Sequence, residues 1–330
     1  MCGLASPNRS REENLLPVII ITGPTACGKT ELAMKLADHF ECQLISADSS
    51  LVYRRMNVGT AKPPARVLQQ YPHALVDIRD IDQFFSAGDF VAEAGSAIRA
   101  ARDSNKLPVL VGGTLLYLRS LLYGLSELPA ADPQLRAQIE QEAQLLGWRA
   151  MHQQLVVIDP VAGAAIHPND RQRIQRALEV YRLTGRPISE LQSEAAAGIL
   201  PGQKLTLILG PPSRSWLHRR IRERSDQMIC NGLVEEVAGL VGSKSLDLPE
   251  MFERLPALRA VGYRQTIEAL AAGEVRAEPL AEKISIATRQ LAKRQLTWLH
   301  GNPAGVWLTA GASANCTRAI ELVSRVIDGG

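Results

Sequence analysis

The sequence predicts an α/β fold, a P-loop NTPase-like parallel sheet core interrupted by a mostly helical insertion domain. Three observations carry this. An apolar strand runs directly into a glycine-rich turn and a helix at 15–40; short apolar strands alternate with helical stretches before residue 128 and again after residue 200; and between those blocks the strand pattern disappears. Strands alternating with helices imply parallel pairing, because a parallel neighbour needs a crossover long enough to hold a helix.

The elements follow in order. The first fourteen residues are polar, with Arg9, Arg11, Glu12 and Glu13 and no apolar run, so a flexible extension at 1–14 is expected rather than a signal peptide. Residues 15–21 read as the first strand, and 31–40 place Leu32, Leu36 and Phe40 on one helical face. Strands are expected at 43–46, 75–78 and 107–111, with a helix at 90–105. Helical pattern then runs through 133–147, 172–184 and 189–197, punctuated by Pro160, Pro168 and Pro187. Strand character returns at 205–209, followed by helices at 215–231 and 281–300, a last strand at 306–309 and a terminal helix. The sheet domain is therefore expected to be discontinuous, 15–127 with 201–330, around an insertion at 128–200.

Composition narrows the class. At 330 residues, 46% hydrophobic and 22% charged, the chain can bury a large core and is not disordered. Its 37 basic and 34 acidic residues leave a net charge of +3, which neither demands nor excludes a nucleic-acid partner. Five cysteines form no CxxC pair, share no metal-ligand spacing with the six histidines and leave one unpaired in any disulfide scheme. A reducing, cytoplasmic compartment fits them. No apolar stretch approaches the roughly 20 residues that span a bilayer, so no membrane is expected.

Gly23, Pro24, Thr25, Ala26, Cys27, Gly28, Lys29 and Thr30 match G-x-x-x-x-G-K-[ST] at every fixed position, between an expected strand and helix. Backbone N–H groups and a helix N-terminus there surround phosphate oxygens, Lys29 adds a point charge and Thr30 can ligate Mg²⁺. Cys27 reads as a tolerated small residue, with a redox-sensing thiol as the alternative. An ATPase or kinase also wants an apolar strand ending in an acid that holds the metal. Here Val109-Leu-Val-Gly-Gly-Thr114 ends without a carboxylate, and Leu75-Val-Asp77 is only a weak substitute. ATP turnover is not implied.

Asp48 falls at the C-terminal end of the second expected strand, where open α/β sheets build their sites. Taken alone, it fits a surface-turn aspartate equally well. Arginine-rich helical stretches at 170–176, 219–224 and 289–298 are each compatible with a solvated face. In the last, Arg289 with Lys293 and Arg294 with Trp298 form i,i+4 pairs that combine charge with an aromatic ring, which suits phosphate backbone and unstacked bases.

The loop at 23–30, Asp48-Ser-Ser-Leu-Val-Tyr53, Asn57-Val-Gly-Thr-Ala-Lys-Pro63, Val111-Gly-Gly-Thr114, His167-Pro-Asn-Asp170, Arg176-Ala-Leu-Glu-Val180, Val261-Gly-Tyr-Arg-Gln265 and Ala292-Lys-Arg-Gln-Leu-Thr-Trp298 together resemble the bacterial tRNA dimethylallyltransferases, over almost the whole chain. The resemblance implies transfer of a dimethylallyl group from dimethylallyl diphosphate to N6 of the adenosine immediately 3′ of the anticodon in tRNA, with Mg²⁺. An exocyclic adenine amine is a weak nucleophile whose proton must be accepted as the C–N bond forms, and the resemblance gives that role to Asp48. Lys29, the loop amides and Thr114 match positions that meet the departing diphosphate, where preorganised donors lower the barrier. Arg224 would close on it, with Arg220 as the alternative.

The same resemblance places tRNA contacts at Asp48, Ser49, Ser50, Leu51, Thr114, Arg136, Gln172, Arg173, Ile174, Gln175, Arg176, Arg259, Ala260, Val261, Gly262, Tyr263, Arg264, Lys293, Arg294, Gln295, Leu296, Thr297, Trp298, Leu299 and His300. It makes the insertion a clamp on the anticodon stem-loop, from which the acceptor base must leave its stack. A monomer is expected. His300 departs from the arginine that follows the family's Thr-Trp pair, and Arg171 from a frequent proline. Three other readings compete. A nucleotide kinase lacks its acid, prenyl transfer onto free AMP would need no insertion, and a non-catalytic RNA-binding module leaves Asp48 and Thr114 beside an intact Lys29 unexplained.

Overall fold

The structure, a computed structural model, describes residues 15–126, 128–194, 200–242, 248–301 and 305–329. The extension expected at 1–14 and the end of the helix expected at 189–197 lie outside the described residues.

Strand β1 (Val18–Thr22) consists entirely of β-branched residues and is buried along its whole length. Such residues suit a strand covered on both faces. The phosphate loop follows, then helix α1 (Lys29–Ala37), β2 (Cys42–Ser46), α2 (Ala65–Gln70), β3 (His73–Ala74) and α3 (Ala87–Asp103). Ser86 and Asp89 close a reciprocal capping box that starts α3. β4 (Leu107–Val111) and α4 (Leu115–Tyr123) come next. The following helices are α5 (Pro133–Leu146), α6 (Trp148–Ile158), α7 (Pro160–Ala165), α8 (Arg171–Thr184) and α9 (Ile188–Ser193). The chain then returns to β5 (Lys204–Gly210), α10 (Arg214–Cys230), α11 (Leu233–Val241) and α12 (Leu248–Arg254). A 3₁₀ turn (Pro256–Arg259) leads into α13 (Tyr263–Ala271), α14 (Ala277–His300), β6 (Val306–Thr309) and α15 (Asn315–Asp328).

All strand pairings are parallel, in the order β3-β2-β4-β1-β5-β6. The P-loop NTPase-like core that the sequence predicts is therefore present. β4 lies between β1 and β2, pairing Val111 with both Ile21 and Ser46. That register brings the ends of three strands side by side. Ile19, Ile21, Leu36, Val109, Leu207, Ile221 and Val323 are buried in one apolar cluster drawn from sheet and helices.

One expected strand moved. At 75–78 the chain is not extended, because Leu75 and Asp77 have φ of +65° and +56°, and pairing with β2 is confined to His73 and Ala74. Asp77 receives the Lys62 ammonium at 2.5 Å. A local ion pair thus uses the only acid that the sequence offered as a metal partner.

By internal contacts the chain divides into two compact units, Met1–Arg119 with Leu200–Gly330, and Ser120–Ile199. The second unit is helical among its described residues and has its own core, including Ile139, Met151, Leu155, Ile174 and Leu178. Inside it, the fully buried Glu179 takes bonds from Arg136 Nε at 2.8 Å, Arg136 Nη2 at 3.1 Å, Arg176 Nη1 at 2.6 Å and the Asp132 amide at 2.9 Å. A buried carboxylate is tolerated only when paired in this way.

Candidate active site

The parallel sheet directs the C-terminal ends of β1, β4 and β2 toward one edge, the place where open α/β sheets assemble sites. β1 opens into the phosphate loop. Gly23 has φ +146°, and a Cβ there would lie 2.4 Å from the Leu209 carbonyl oxygen, so only glycine lets the loop turn so close to β5. Gly28 enters α1 at φ +82°. The Lys29 ammonium donates to Pro24 O at 2.8 Å and lies half-buried in the loop.

β2 and β4 end against each other. A Cβ on Gly112 would approach the Ala47 carbonyl oxygen to 2.1 Å, whereas glycine allows Ala47 N to reach Val111 O at 2.8 Å and Thr114 N to reach Ala47 O at 3.2 Å. Thr114 Oγ1 accepts from the Ser49 amide at 2.9 Å and donates to Ser49 Oγ at 3.2 Å. Asp48 Oδ1 accepts from the Ser50 amide at 2.9 Å, an Asx turn that holds the carboxylate at the strand end. Ser49 and Thr114 therefore form a hydrogen-bonded corner beside the phosphate loop, and the Asp48 carboxylate, adjacent in the chain, is held by the Ser50 amide.

Two side chains from distant helices reach that loop. Arg224 on α10 donates from Nη1 to Thr25 Oγ1 at 3.2 Å and from Nη2 to Thr60 O at 3.1 Å. Arg220, by contrast, is exposed and lies over the Trp216 ring at 5.7 Å. Gln295 on α14 accepts from the Thr25 amide at 3.0 Å and donates to Gly113 O at 2.8 Å. One of the loop amides expected to meet phosphate is thus engaged by the protein itself.

The electrostatics follow from burial. Desolvation pushes the Lys29 ammonium down to about 8; the charges of Cys27 and Asp48 oppose this and that of Arg224 adds to it. Arg224 is likewise lowered by burial, and Asp48 opposes the shift. Burial pushes the Cys27 thiol up to about 11 against the opposing pull of Lys29 and Arg220. A raised thiol disfavours the thiolate, the reactive form that a sensor uses.

The chain matches the family model described as IPP transferase over residues 51–302. It belongs to that family. A tRNA dimethylallyltransferase of Thioalkalivibrio sulfidiphilus is 50% identical over 287 residues, 87% of this chain and 88% of that protein. The full-length tRNA isopentenylpyrophosphate transferase of Bacillus halodurans is 31% identical with a TM-score of 0.64, covering 95% of this chain and 97% of that one. A eukaryotic dimethylallyltransferase described as acting on tRNA has a TM-score of 0.79 at 27% identity, covering 95% of this chain and 80% of that one. These relatives make the chain a prenyltransferase.

The family positions expected to touch RNA divide into exposed and interior groups. Ser49, Arg259, Arg264, Lys293, Arg294, Thr297 and His300 are exposed, while Asp48, Ser50, Leu51, Thr114, Ala260, Val261, Leu296 and Trp298 are half-buried. Tyr263, Gln295 and Leu299 are interior, so their side chains pack inside the protein, and Gly262 is buried backbone. His300 stacks on Trp307 with centroids 4.8 Å apart.

In the helical unit, Arg171, Gln172 and Arg173 are exposed in the first turn of α8, whose start Asp170 caps through the Arg173 amide at 3.2 Å. Ile174 is buried in the core, Gln175 Nε2 donates to Arg136 O at 3.2 Å, and Arg136 and Arg176 serve Glu179. Of the positions expected to touch tRNA, Ile174, Tyr263, Gln295 and Leu299 have buried side chains.

Sequence reasoning missed Glu236 and Thr60. Glu236 sits in an ordinary amphipathic segment, Leu233-Val-Glu-Glu-Val237, with no signal beyond its charge. Thr60 lay inside the quoted Asn57-to-Pro63 motif but carried no assigned role.

Proposed function

We propose that this chain transfers the dimethylallyl group of dimethylallyl diphosphate to N6 of the adenosine immediately 3′ of the anticodon in tRNA. The N6–C bond forms as the allylic C–O bond breaks, diphosphate leaves, and the amine proton passes to Asp48. The observation that carries this is the corner at the end of β2 and β4: a carboxylate, Asp48, next to a complete phosphate loop whose neighbouring strand ends in Gly-Gly-Thr instead of a metal-binding acid. The names and coverage of the relatives support the donor and the acceptor.

Each part of the site answers one difficulty of the reaction. Asp48, acting as general base, restores nucleophilicity to an amine whose lone pair is delocalised into the ring. The Thr114 hydroxyl, held by the Ser49 amide, is positioned to orient that amine. Negative charge growing on the diphosphate meets Lys29, the free loop amides at the N-terminus of α1 and Arg224. Thr30, in the first turn of α1, would hold Mg²⁺ together with oxygens of the substrate phosphates, the hard ligands that ion prefers. Bound there, Mg²⁺ would neutralise leaving-group charge.

The helical unit serves as the clamp on the anticodon stem-loop, with Arg173 and Gln172 facing phosphate. Arg259, Arg264, Lys293, Arg294 and the His300–Trp307 pair extend the RNA surface on the catalytic unit. No helix among the described residues is long and apolar enough to cross a membrane. The enzyme works as a cytoplasmic monomer.

The test is to incubate the full chain with labelled dimethylallyl diphosphate, Mg²⁺ and an unmodified anticodon stem-loop, with AMP and ATP as comparison substrates. Label is expected on RNA alone; label on AMP, or phosphoryl transfer from ATP, would overturn the reading. Asp48→Asn should bind pyrophosphate normally while single-turnover transfer falls about 10²-fold or more, the usual worth of a general base. Near-wild-type transfer by that variant would remove Asp48 from the mechanism.

A further inference from the structure

We propose that Glu236, secured by Tyr263, is a positioning residue for the diphosphate site: it fixes the turn at 57–60, whose last carbonyl aims Arg224 across the phosphate loop. The inference rests on the reading of Arg224 as the cation that meets diphosphate.

Glu236 lies in the first turn of α11, far in sequence from the loop it holds. Its Oε2 accepts from the amides of Asn57 at 2.9 Å and Val58 at 2.8 Å, and its Oε1 from those of Val58 at 3.1 Å and Gly59 at 3.2 Å. Three successive amides converging on one anion form a nest, here filled by the protein's own carboxylate rather than a ligand. The fully buried Tyr263 adds its hydroxyl to Oε1 at 2.5 Å. Gly59 makes this approach possible, because a Cβ there would lie 2.4 Å from the Tyr263 ring.

The next residue is the output. Thr60 Oγ1 donates back to Met56 O at 2.8 Å, which ties the turn closed, and Thr60 O receives Arg224 Nη2 at 3.1 Å. The guanidinium thus has one anchor on the phosphate loop, at Thr25, and one on a turn that depends on Glu236. Arg224 has a long side chain with many rotamers, and holding it in place before the ligand arrives lowers the ordering cost of binding. Tyr263 also opens α13 four residues after the exposed Arg259, so the segment proposed to meet RNA is tied through the same carboxylate to the residue that meets the donor.

Pyrophosphate with Mg²⁺, titrated calorimetrically into the full-length wild type, Glu236→Gln, Tyr263→Phe, Arg224→Ala and the Glu236→Gln/Arg224→Ala pair, tests this. Loss of a charged hydrogen-bond network predicts about tenfold weaker binding for Glu236→Gln and a smaller loss in the same direction for Tyr263→Phe. The double variant should bind no more weakly than Arg224→Ala alone, since residues acting through one another are non-additive. The KM for dimethylallyl diphosphate should rise with that loss, more than kcat falls. Wild-type affinity in folded Glu236→Gln, a loss that multiplies with Arg224→Ala, or reduced stoichiometry at unchanged affinity would each overturn the proposal. If Glu236→Gln does not fold, Tyr263→Phe is subject to the same three outcomes. Pyrophosphate binding is read without prenyl transfer, so failure of this relay and failure of the proposed reaction give different results.

Discussion

Lys29 is the residue whose chemistry depends most on its surroundings. Its ammonium faces the Pro24 carbonyl in a loop that desolvates it, and its pKa falls to about 8. A lysine lowered in this way is charged below that value and loses its charge as pH rises through it. An arriving diphosphate favours the ammonium, so binding near pH 8 should take up a proton. Pyrophosphate affinity of the wild type should therefore fall through about pH 8 relative to Lys29→Arg, whose guanidinium stays charged. Titrations with the same pH slope in both proteins would show that another group is responsible. At this scale much was legible, because the loop motif names its own lysine. The bond from the Thr25 amide to Gln295 was not, since the two residues are 270 positions apart.

At the scale of elements, the contact between the ends of β2 and β4 decides whether Ser49, next to Asp48, meets Thr114. Gly112 is the joint. With a Cβ at 2.1 Å from a backbone carbonyl that cannot rotate away, Gly112→Ala should force the strand ends apart and cost about 3 kcal/mol. A lower urea midpoint, with a larger loss of transfer than of pyrophosphate binding, is the expected result; an unchanged midpoint would show that the joint yields freely. β1 and β4 were readable because each is a short apolar run bounded by turn residues. β3 was not, because only two residues pair and the expected strand at 75–78 is bent by Leu75 and Asp77, the latter held by Lys62. Helix α11 carries Glu236 inside a pattern that looks like ordinary amphipathic surface, and the motif that names Tyr263 on α13 says nothing of its bond to that carboxylate.

Across the whole molecule the charge is nearly balanced, at +3, so RNA affinity must come from where the arginines stand. Arg173 is exposed on α8 and pairs with Asp170 at 3.3 Å, whereas Arg136 is committed to the buried Glu179. Arg173→Ala should weaken stem-loop binding and reduce the dependence of log K on log salt by about one contact's worth, a slope change of roughly 0.7 to 1. Arg136→Ala should chiefly destabilise the helical unit, because it strips a partner from a buried carboxylate. Equal salt slopes for wild type and Arg173→Ala would remove that residue from the RNA surface. By itself the sequence determined the phosphate loop, the alternation that makes a parallel sheet and the family, because these reside in contiguous runs whose spacing encodes local geometry. Only the tertiary structure decided which of the family's positions face outward and which are interior supports. Glu236 reaching the turn at 57–59, Gln295 reaching Thr25 and Arg224 bridging Thr25 to Thr60 are pairings across long separations that packing of helices on the sheet selects.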